Sequence, residues 1–140
     1  MKYIKLPLNL LHSVRGAKNN FCALEESIAQ SIMMQTTCRY GEVEGRPDYG
    51  SAIWELEFNQ LIRTHEWEEQ VSNSLHASIQ KHEKRLKNVD VSVHLSEVHT
   101  ESKNHVQVRK KAEIYVKGTI VFSEVPFHFN TILYISPITQ

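Results

Sequence analysis

The sequence predicts an α+β fold with three N-terminal helices packed on a three-stranded antiparallel meander, preceded by an extended N-terminal arm. The first observation is that apolar residues between positions 21 and 87 recur at helical spacing. The second is that the apolar period changes to two after Asn88, which is typical of half-buried strands. We therefore expect a single domain over residues 1–140, with the arm at 1–20, the helical part at 21–87 and the sheet at 88–137.

The helices are predicted from their apolar stripes and from the residues at their ends. Asn20 can cap a first helix from Phe21 to Thr36, and Ser51 can cap a short second helix. Thr64 can cap a third helix, whose acidic start and basic last turn at 81–87 suit the helix dipole. In chain order, the stripes are Phe21, Leu24, Ile28 and Ile32; Trp54, Phe58 and Leu61; and Trp67, Val71, Leu75, Ile79 and Leu86.

The C-terminal third predicts three strands separated by two polar turns. Val89 to Leu95 alternates with polar residues and forms the first strand, and the turns lie at 99–105 and 123–126. Strands joined by short turns pair antiparallel, and one face of such a sheet needs a cover, which the helices supply. The residues predicted to be buried include Val91, Val93, Ile114, Val116, Phe129 and Leu133.

Composition excludes several kinds of partner. The formal net charge is zero and the pI is about 7.1, so no electrostatic field gathers phosphates and we expect no nucleic-acid partner. No apolar run approaches the ~20 residues of a membrane span, so we expect no direct membrane insertion. Cys22 and Cys38 lie at either end of the first predicted helix, too far apart to bridge, which predicts reduced thiols and a cytoplasmic protein.

No pattern of catalytic, cofactor-binding or metal-binding residues emerges. His65 is followed by Glu66 but lacks the second His that a helical zinc site needs, and no glycine-rich phosphate loop is present. Glycoside hydrolysis needs two carboxyls in contrasting environments. The acidic residues at the start of the third helix are already explained by the helix dipole. We therefore expect neither an enzyme nor a cofactor, and a cell-wall-cleaving enzyme stays as the alternative class.

The loop at residues 41–51 is a sharply turning segment rich in glycine and charge. Glycine permits positive φ and Pro47 fixes its own φ, so we expect an ordered surface loop. We expect Arg46 to pair with Asp48 or Glu44, and Tyr49 to pack against the helices. The predicted loop-structuring residues are Gly41, Arg46, Pro47, Asp48, Tyr49 and Gly50.

Glu83 and Arg85 are two charges without a local explanation. The third helix is predicted to continue through them, and residues two apart on a helix project to nearly opposite sides, so we expect them not to pair with each other. They are either solvated charges at the edge of the helix or groups that meet partners on another chain.

Two motifs resemble the GPW/TssE family, the small baseplate wedge proteins of contractile phage tails and type VI secretion systems. The first is Gly-Glu-Val-Glu-Gly-Arg-Pro-Asp-Tyr-Gly-Ser at 41–51, and the second is Glu-Lys-Arg-Leu at 83–86, where the family carries Glu-Pro-Arg. The resemblance implies that Glu83 and Arg85 bind other wedge proteins. Lys84 replaces the family's proline, which would let the helix continue through the motif.

The resemblance implies a structural baseplate protein whose partners are the other wedge proteins and the contractile sheath. It implies a TssE-like component of a type VI system, which links wedge proteins and offers a sheet edge on which the sheath assembles by strand addition. Such a protein would be cytoplasmic and would sit in the baseplate at the inner face of the cell envelope. The sequence leaves two alternatives open: a lysozyme-like enzyme that cleaves peptidoglycan, and the equivalent subunit of a phage or phage-tail-like particle.

Overall fold

The computed structural model describes residues 3–7, 11, 21–56, 63–102 and 105–135 and has an α+β architecture. Two long helices cover one face of a three-stranded antiparallel sheet, and a two-stranded ribbon lies near the first helix. The elements in chain order are β1 (Tyr3–Ile4), β2 (Phe21–Cys22), α1 (Leu24–Thr37), α2 (Ile53–Leu56), α3 (Thr64–His82), β3 (Leu86–Ser102), β4 (His105–Ile120) and β5 (Pro126–Ile135).

The sheet has the predicted order, with β4 between β3 and β5 and both pairs antiparallel. Of the six residues predicted to be buried, Val91, Val93, Ile114 and Val116 are buried, while Phe129 and Leu133 are half-buried against the core. The predicted turn at 99–105 is wrong for most of its length, because β3 runs to Ser102 and β4 begins at His105. Backbone pairing across the hairpin holds these polar residues in the ladder.

The core lies between the helices and the inner face of the sheet. Ile28 and Ile32 of α1 and Leu75 and Ile79 of α3 are fully buried against the strands. Burying one such side chain contributes about 1.5–3 kcal/mol relative to leaving it exposed. The apolar stripes predicted for the first and third helices are therefore the faces that hold these helices on the sheet.

The N-terminal region departs from the predicted arm. Tyr3 and Ile4 form β1, which pairs antiparallel with Phe21 and Cys22, and apart from residues 3–7 and Leu11 the range 1–20 lies outside the described residues. The first helix consequently begins at Leu24 rather than Phe21. Its N-cap position is an extended Ala23 without a side-chain cap, instead of the predicted Asn20.

Only two of the three predicted helices are long. The second is a single turn, Ile53–Leu56, and Phe58 and Leu61 of its predicted stripe lie outside the described residues. The third ends at His82, because Glu83 has φ −112° and ψ 88°, and Leu86 already pairs with Ile120 in the sheet. The replacement of the family's proline by Lys84 therefore does not extend the helix.

The division of the chain into one domain stays a prediction.

Candidate protein-interaction surfaces

Glu83 and Arg85 pair with each other, contrary to the sequence prediction. Arg85 Nε donates to Glu83 Oε1 at 2.7 Å, and Arg85 NH2 donates to Oε2 at 2.8 Å. The prediction assumed a continuous helix, whereas the chain leaves the helix at Glu83 and brings both side chains to one side. The result is a two-point ion pair, the strongest geometry available to these groups. We call Glu83 and Arg85 the brace.

The brace ties the end of α3 to the N-terminal ribbon and to α1. Arg85 NH1 donates to Ser27 Oγ at 2.8 Å, and the guanidinium carbon lies 5.2 Å from the centre of the Tyr3 ring. The Arg85 carbonyl accepts from the Val121 N–H at 2.9 Å, which fixes the segment against the end of β4. One arginine therefore joins three separate parts of the chain.

Burial and pairing act on the Glu83 carboxylate in opposite directions. The side chain of Glu83 is only 2% exposed, so loss of solvation opposes its ionisation. Hydrogen bonds from the Arg85 guanidinium and backbone N–H, the Arg85 charge and a hydrogen bond with Ser31 outweigh this, and the pKa of Glu83 is lowered. The hydrogen bond with Glu83 in turn raises the pKa of Arg85. The pair is charged at neutral pH.

Backbone hydrogen bonds order the loop between α1 and α2. Gly41 N–H donates to the Pro47 carbonyl at 3.1 Å, Tyr49 N–H to Arg46 at 3.1 Å, and Ser51 N–H to Cys38 at 3.2 Å. Gly41, Gly45 and Gly50 all have positive φ. At Gly50 a Cβ atom would lie 2.7 Å from the Cys38 carbonyl oxygen, so only glycine fits there.

Buried polar side chains fix the end of this loop to both long helices. Ser51 Oγ donates to the Thr36 carbonyl at 3.0 Å, and Ser78 Oγ donates to Gln35 Oε1 at 2.8 Å. Gly50 N–H donates to Ser78 Oγ at 3.5 Å. Each of these bonds satisfies a buried polar group, and together they tie the end of the loop to α1 and α3. The sequence reasoning missed Gln35, Thr36 and Ser78, whose signal is a polar residue within an apolar stripe.

The predicted pairing within the loop is replaced by contacts to α3. Asp48 pairs with Lys81, and this hydrogen bond is the main cause of its lowered pKa. Arg46 is exposed and pairs with neither Asp48 nor Glu44. The packing prediction for Tyr49 is met: it is buried, and its ring meets the His82 ring edge-on at 5.2 Å.

The two edges of the sheet, formed by β3 and β5, differ in the side-chain hydrogen bonds that they receive. In an antiparallel ladder the N–H and C=O of one residue point the same way and alternate along the strand. Val91 and Leu95 lie in the regular part of the β3–β4 ladder with backbone groups that face away from β4, and Ser72 and Glu68 of α3 bond to them. His76 bonds to the Val89 carbonyl, beside the register shift between Lys87 and Asp90.

On β5, the even-numbered residues direct their backbone N–H and C=O groups toward the free edge. Ile120 N–H donates to Val125, so even residues of β4 face β5. Their β5 partners, such as Phe129 opposite Val116, are odd-numbered. The backbone groups of His128, Asn130, Ile132 and Tyr134 thus point outward. Among the hydrogen bonds of the described residues, none from a side chain reaches this edge.

The outer face of the sheet combines exposed aromatic and aliphatic side chains with an ion pair. Tyr115, Ile132 and Tyr134 are exposed, and Tyr134 stands opposite Lys111 in the ladder. Glu113 accepts from the Tyr115 hydroxyl at 3.0 Å and pairs with Lys111 at 3.0 Å, and the Lys111 hydrogen bond is the main cause of the lowered Glu113 pKa.

Two features are absent from the residues that the structure describes. No group of three or more His, Cys, Asp and Glu side chains in these segments is arranged to hold a metal ion. No helix in the described ranges is long and apolar enough to cross a membrane. Cys22 and Cys38 are both free thiols.

The brace, the ordered loop and the β5 edge belong to a small α+β protein with a three-stranded antiparallel sheet. Residues 22–119 match the family of the baseplate wedge protein gp25, so the chain belongs to that family. No curated protein matches the chain significantly.

Two solved structures share the fold. One is a crystal structure of a protein from Geobacter sulfurreducens named "putative tail lysozyme"; it is 20% identical, with a TM-score of 0.58, over 84% of this chain and 96% of that one. The other is a chain in the baseplate complex of the type VI secretion system; it is 20% identical, with a TM-score of 0.51, over 79% of this chain and 92% of that one. At this identity the two likenesses show the fold alone.

Proposed function

We propose that this protein is a structural wedge component of a contractile injection machine, TssE-like in a type VI system. It links other wedge proteins and provides the platform on which the sheath begins to assemble. It works in the cytoplasm, in the baseplate at the inner face of the cell envelope. Membership of the baseplate wedge family carries this proposal, and the likeness to a chain of the type VI baseplate complex supports its finer form.

The β5 edge supports the sheath-platform role. Its outward-facing backbone groups at His128, Asn130, Ile132 and Tyr134 can pair with an extended segment of a sheath subunit. Pro126, which has no N–H, falls on the same edge at the start of the strand, where no ladder bond is lost. An added strand would meet four alternate residues whose backbone groups have no hydrogen-bond partner among the described residues.

The brace supports the linking role. We assign Glu83 and Arg85 to partner binding, with different tasks. Glu83 is buried and its carboxylate is fully used inside the chain, so it acts by positioning Arg85. Arg85 is partly exposed, and the neighbouring Lys84 is exposed, so this corner presents positive charge on a fixed backbone. A wedge partner with a complementary acidic surface fits it.

The alternative of a peptidoglycan-cleaving enzyme rests on the name of one structural neighbour. Cleavage needs a carboxyl whose pKa is raised by an apolar pocket, so that it stays protonated as the general acid. Asp48, Glu83 and Glu113 instead have lowered pKa values, each held by a hydrogen bond from a neighbouring cation. The pKa values of these carboxyls are therefore shifted in the direction opposite to that which a general acid requires.

The test of the platform role uses a proline at the β5 edge. In cells that lack this gene and carry a fluorescent sheath subunit, the wild-type gene should restore sheath assembly. Ile132→Pro removes an outward N–H without breaking the β4–β5 ladder, and it should reduce the number of assembled sheaths at least tenfold.

Ile132→Thr is the matched control for that variant. It keeps the N–H and the β-branched shape, so it should restore sheath assembly. Normal assembly with Ile132→Pro would refute the β5 platform. Normal assembly without the gene would refute the baseplate role, and clearing of purified peptidoglycan by the isolated protein would favour the enzyme. The neighbouring genes distinguish a type VI system from a phage or phage-tail-like particle.

A further inference from the structure

Between Val89 and Leu95, the free edge of β3 is covered by three side chains on one face of α3. Glu68, Ser72 and His76 recur every four residues and so lie in one line along the helix. Each residue follows directly after a buried residue of the apolar stripe, namely Trp67, Val71 and Leu75. The apolar stripe packs on the inner face of the sheet, and the adjacent polar line reaches over its edge.

Each of the three bonds uses a backbone group that would otherwise be free to pair with another strand. Ser72 Oγ donates to the Val91 carbonyl at 2.7 Å. His76 Nε2 lies 2.9 Å from the Val89 carbonyl, and because a carbonyl only accepts, the His76 proton is on Nε2. Leu95 N–H donates to Glu68 Oε1 at 3.3 Å. The bonds occupy acceptors and a donor on the side of β3 that faces away from β4.

We propose that Glu68, Ser72 and His76 form an edge guard that closes β3 to strand addition between Val89 and Leu95 and directs pairing with another chain to β5. Open sheet edges are templates for unwanted pairing, and covering an edge is one of the ways in which proteins prevent it. A sheet with one closed and one open edge can take up a single strand from one side. Only the identity of that strand, a sheath segment, rests on the proposed function.

The guard differs from a simple helix–sheet contact in what its removal would do. Losing a packing contact would lower stability without creating a new binding surface. Losing the guard would free the Val89 and Val91 carbonyls and the Leu95 N–H, and a second copy of the chain could then pair with this part of the edge. Self-association is therefore the readout that separates the two explanations.

The test compares two triple alanine variants of the full-length protein. The guard variant is Glu68→Ala with Ser72→Ala and His76→Ala, and the control is Gln70→Ala with Asn73→Ala and Gln80→Ala, all exposed positions on the same helix. Sedimentation velocity over a concentration series should show the guard variant associating at a concentration at least tenfold lower than the control. Hydrogen exchange should show the amides of Val93 and Leu95 protected in the associated species.

Equal association of the two variants, with helical circular dichroism retained, would overturn the proposal. If the guard variant does not fold, Glu68→Ala alone decides the question, because it leaves the bonds of Ser72 and His76 in place. It should speed exchange of the Leu95 amide at least tenfold, and an unchanged rate would overturn the guard. No baseplate partner enters the assay, so its failure would leave the proposed function standing.

Discussion

At the residue scale, Arg85 connects more of the chain than any other side chain in the site. It pairs with Glu83, donates to Ser27 and lies over the Tyr3 ring, so α1, the N-terminal ribbon and the end of α3 share one guanidinium. Lysine could not reproduce this geometry, because it presents a point charge rather than a planar fork. The charge to which the family resemblance assigns partner binding is an internal support in this structure.

Removing one member of the brace should destabilise the isolated protein. Arg85→Ala leaves the Glu83 carboxylate buried and unpaired, and we expect the free energy of unfolding to fall by about 3 kcal/mol, the low end for breaking a buried pair. Urea denaturation measures this loss. The exposed neighbour Lys84→Ala should change stability by about 0.5 kcal/mol or less. Equal stability of the two variants would show that the pair supplies no internal support.

The lowered pKa of Glu83 predicts how acid affects stability. A carboxyl whose pKa is lower in the folded state stabilises the protein above its unfolded pKa, which is about 4.3 for glutamate. That stability is lost as the pH falls through the lower pKa of the folded state.

Glu83→Gln removes this titration while keeping a similar shape, so it tests the pH dependence directly. Unfolding free energies measured from pH 7 to pH 3 should fall less steeply for the variant than for the wild type. The contributions of Asp48 and Glu113 are common to both proteins and cancel in the comparison. Parallel curves would mean that Glu83 titrates alike in the folded and unfolded chains.

At the element scale, the loop between α1 and α2 acts as a rigid connector. Its backbone bonds close the turns, and Ser51 and Gly50 attach its end to Thr36 of α1 and Ser78 of α3. Asp48 and Tyr49 add contacts to the last turn of α3. The relative position of the two helices is therefore set by polar contacts as well as by the apolar core.

Alanine substitution of the loop glycines should separate the effect of a steric clash from the effect of a positive φ. Gly50→Ala places a Cβ atom against the Cys38 carbonyl and keeps a φ of 136°, so we expect a loss of about 2 kcal/mol or more. Gly45→Ala has open space around it, and its positive φ alone should cost about 1 kcal/mol. Thermal denaturation ranks the two variants. A larger loss of stability for Gly45→Ala than for Gly50→Ala would show that the close approach of Gly50 to the Cys38 carbonyl does not constrain the loop.

The sheet and the faces of the two long helices could be predicted from the sequence because their signals are local and periodic. The change of period after Asn88 and the stripe from Trp67 to Ile79 both reflect burial on one face. The end of α3 could not be predicted in this way. No glycine or proline marks it, and the segment after it is held by bonds from Arg85 to Ser27 and from Val121 to Arg85, which join residues distant in sequence.

The site was only partly predictable for the same reason. Tyr49 was identified from an aromatic residue in a turning loop, and its packing was confirmed. The pairing of Asp48 with Lys81 joins residues far apart in the chain, so a local pairing with Arg46 was the natural but wrong expectation. The β3 edge bonds have no sequence signal beyond a polar line beside an apolar stripe.

At the scale of the whole molecule, one face of the sheet holds the fold together and the rest is available for assembly. The helices bury the inner face, and α3 covers the β3 edge between Val89 and Leu95. No other described residue covers the β5 edge, and Tyr115, Ile132 and Tyr134 are exposed on the outer face. The brace lies at the end of β4 that carries Val121, at a corner formed by α1, α3 and the N-terminal ribbon. A member of the baseplate wedge family with this layout can contact different neighbours through different surfaces.

An electron cryomicroscopy reconstruction of the assembled particle, from the organism that carries this gene, tests the central claim most directly. We predict that this chain occupies the baseplate wedge, with residues 83–85 against another wedge protein. A strand from the first sheath ring should lie beside His128–Tyr134, and α3 should cover β3. A complete baseplate that lacks this chain, or one in which the β5 edge faces solvent while the sheath contacts another protein, would contradict the account.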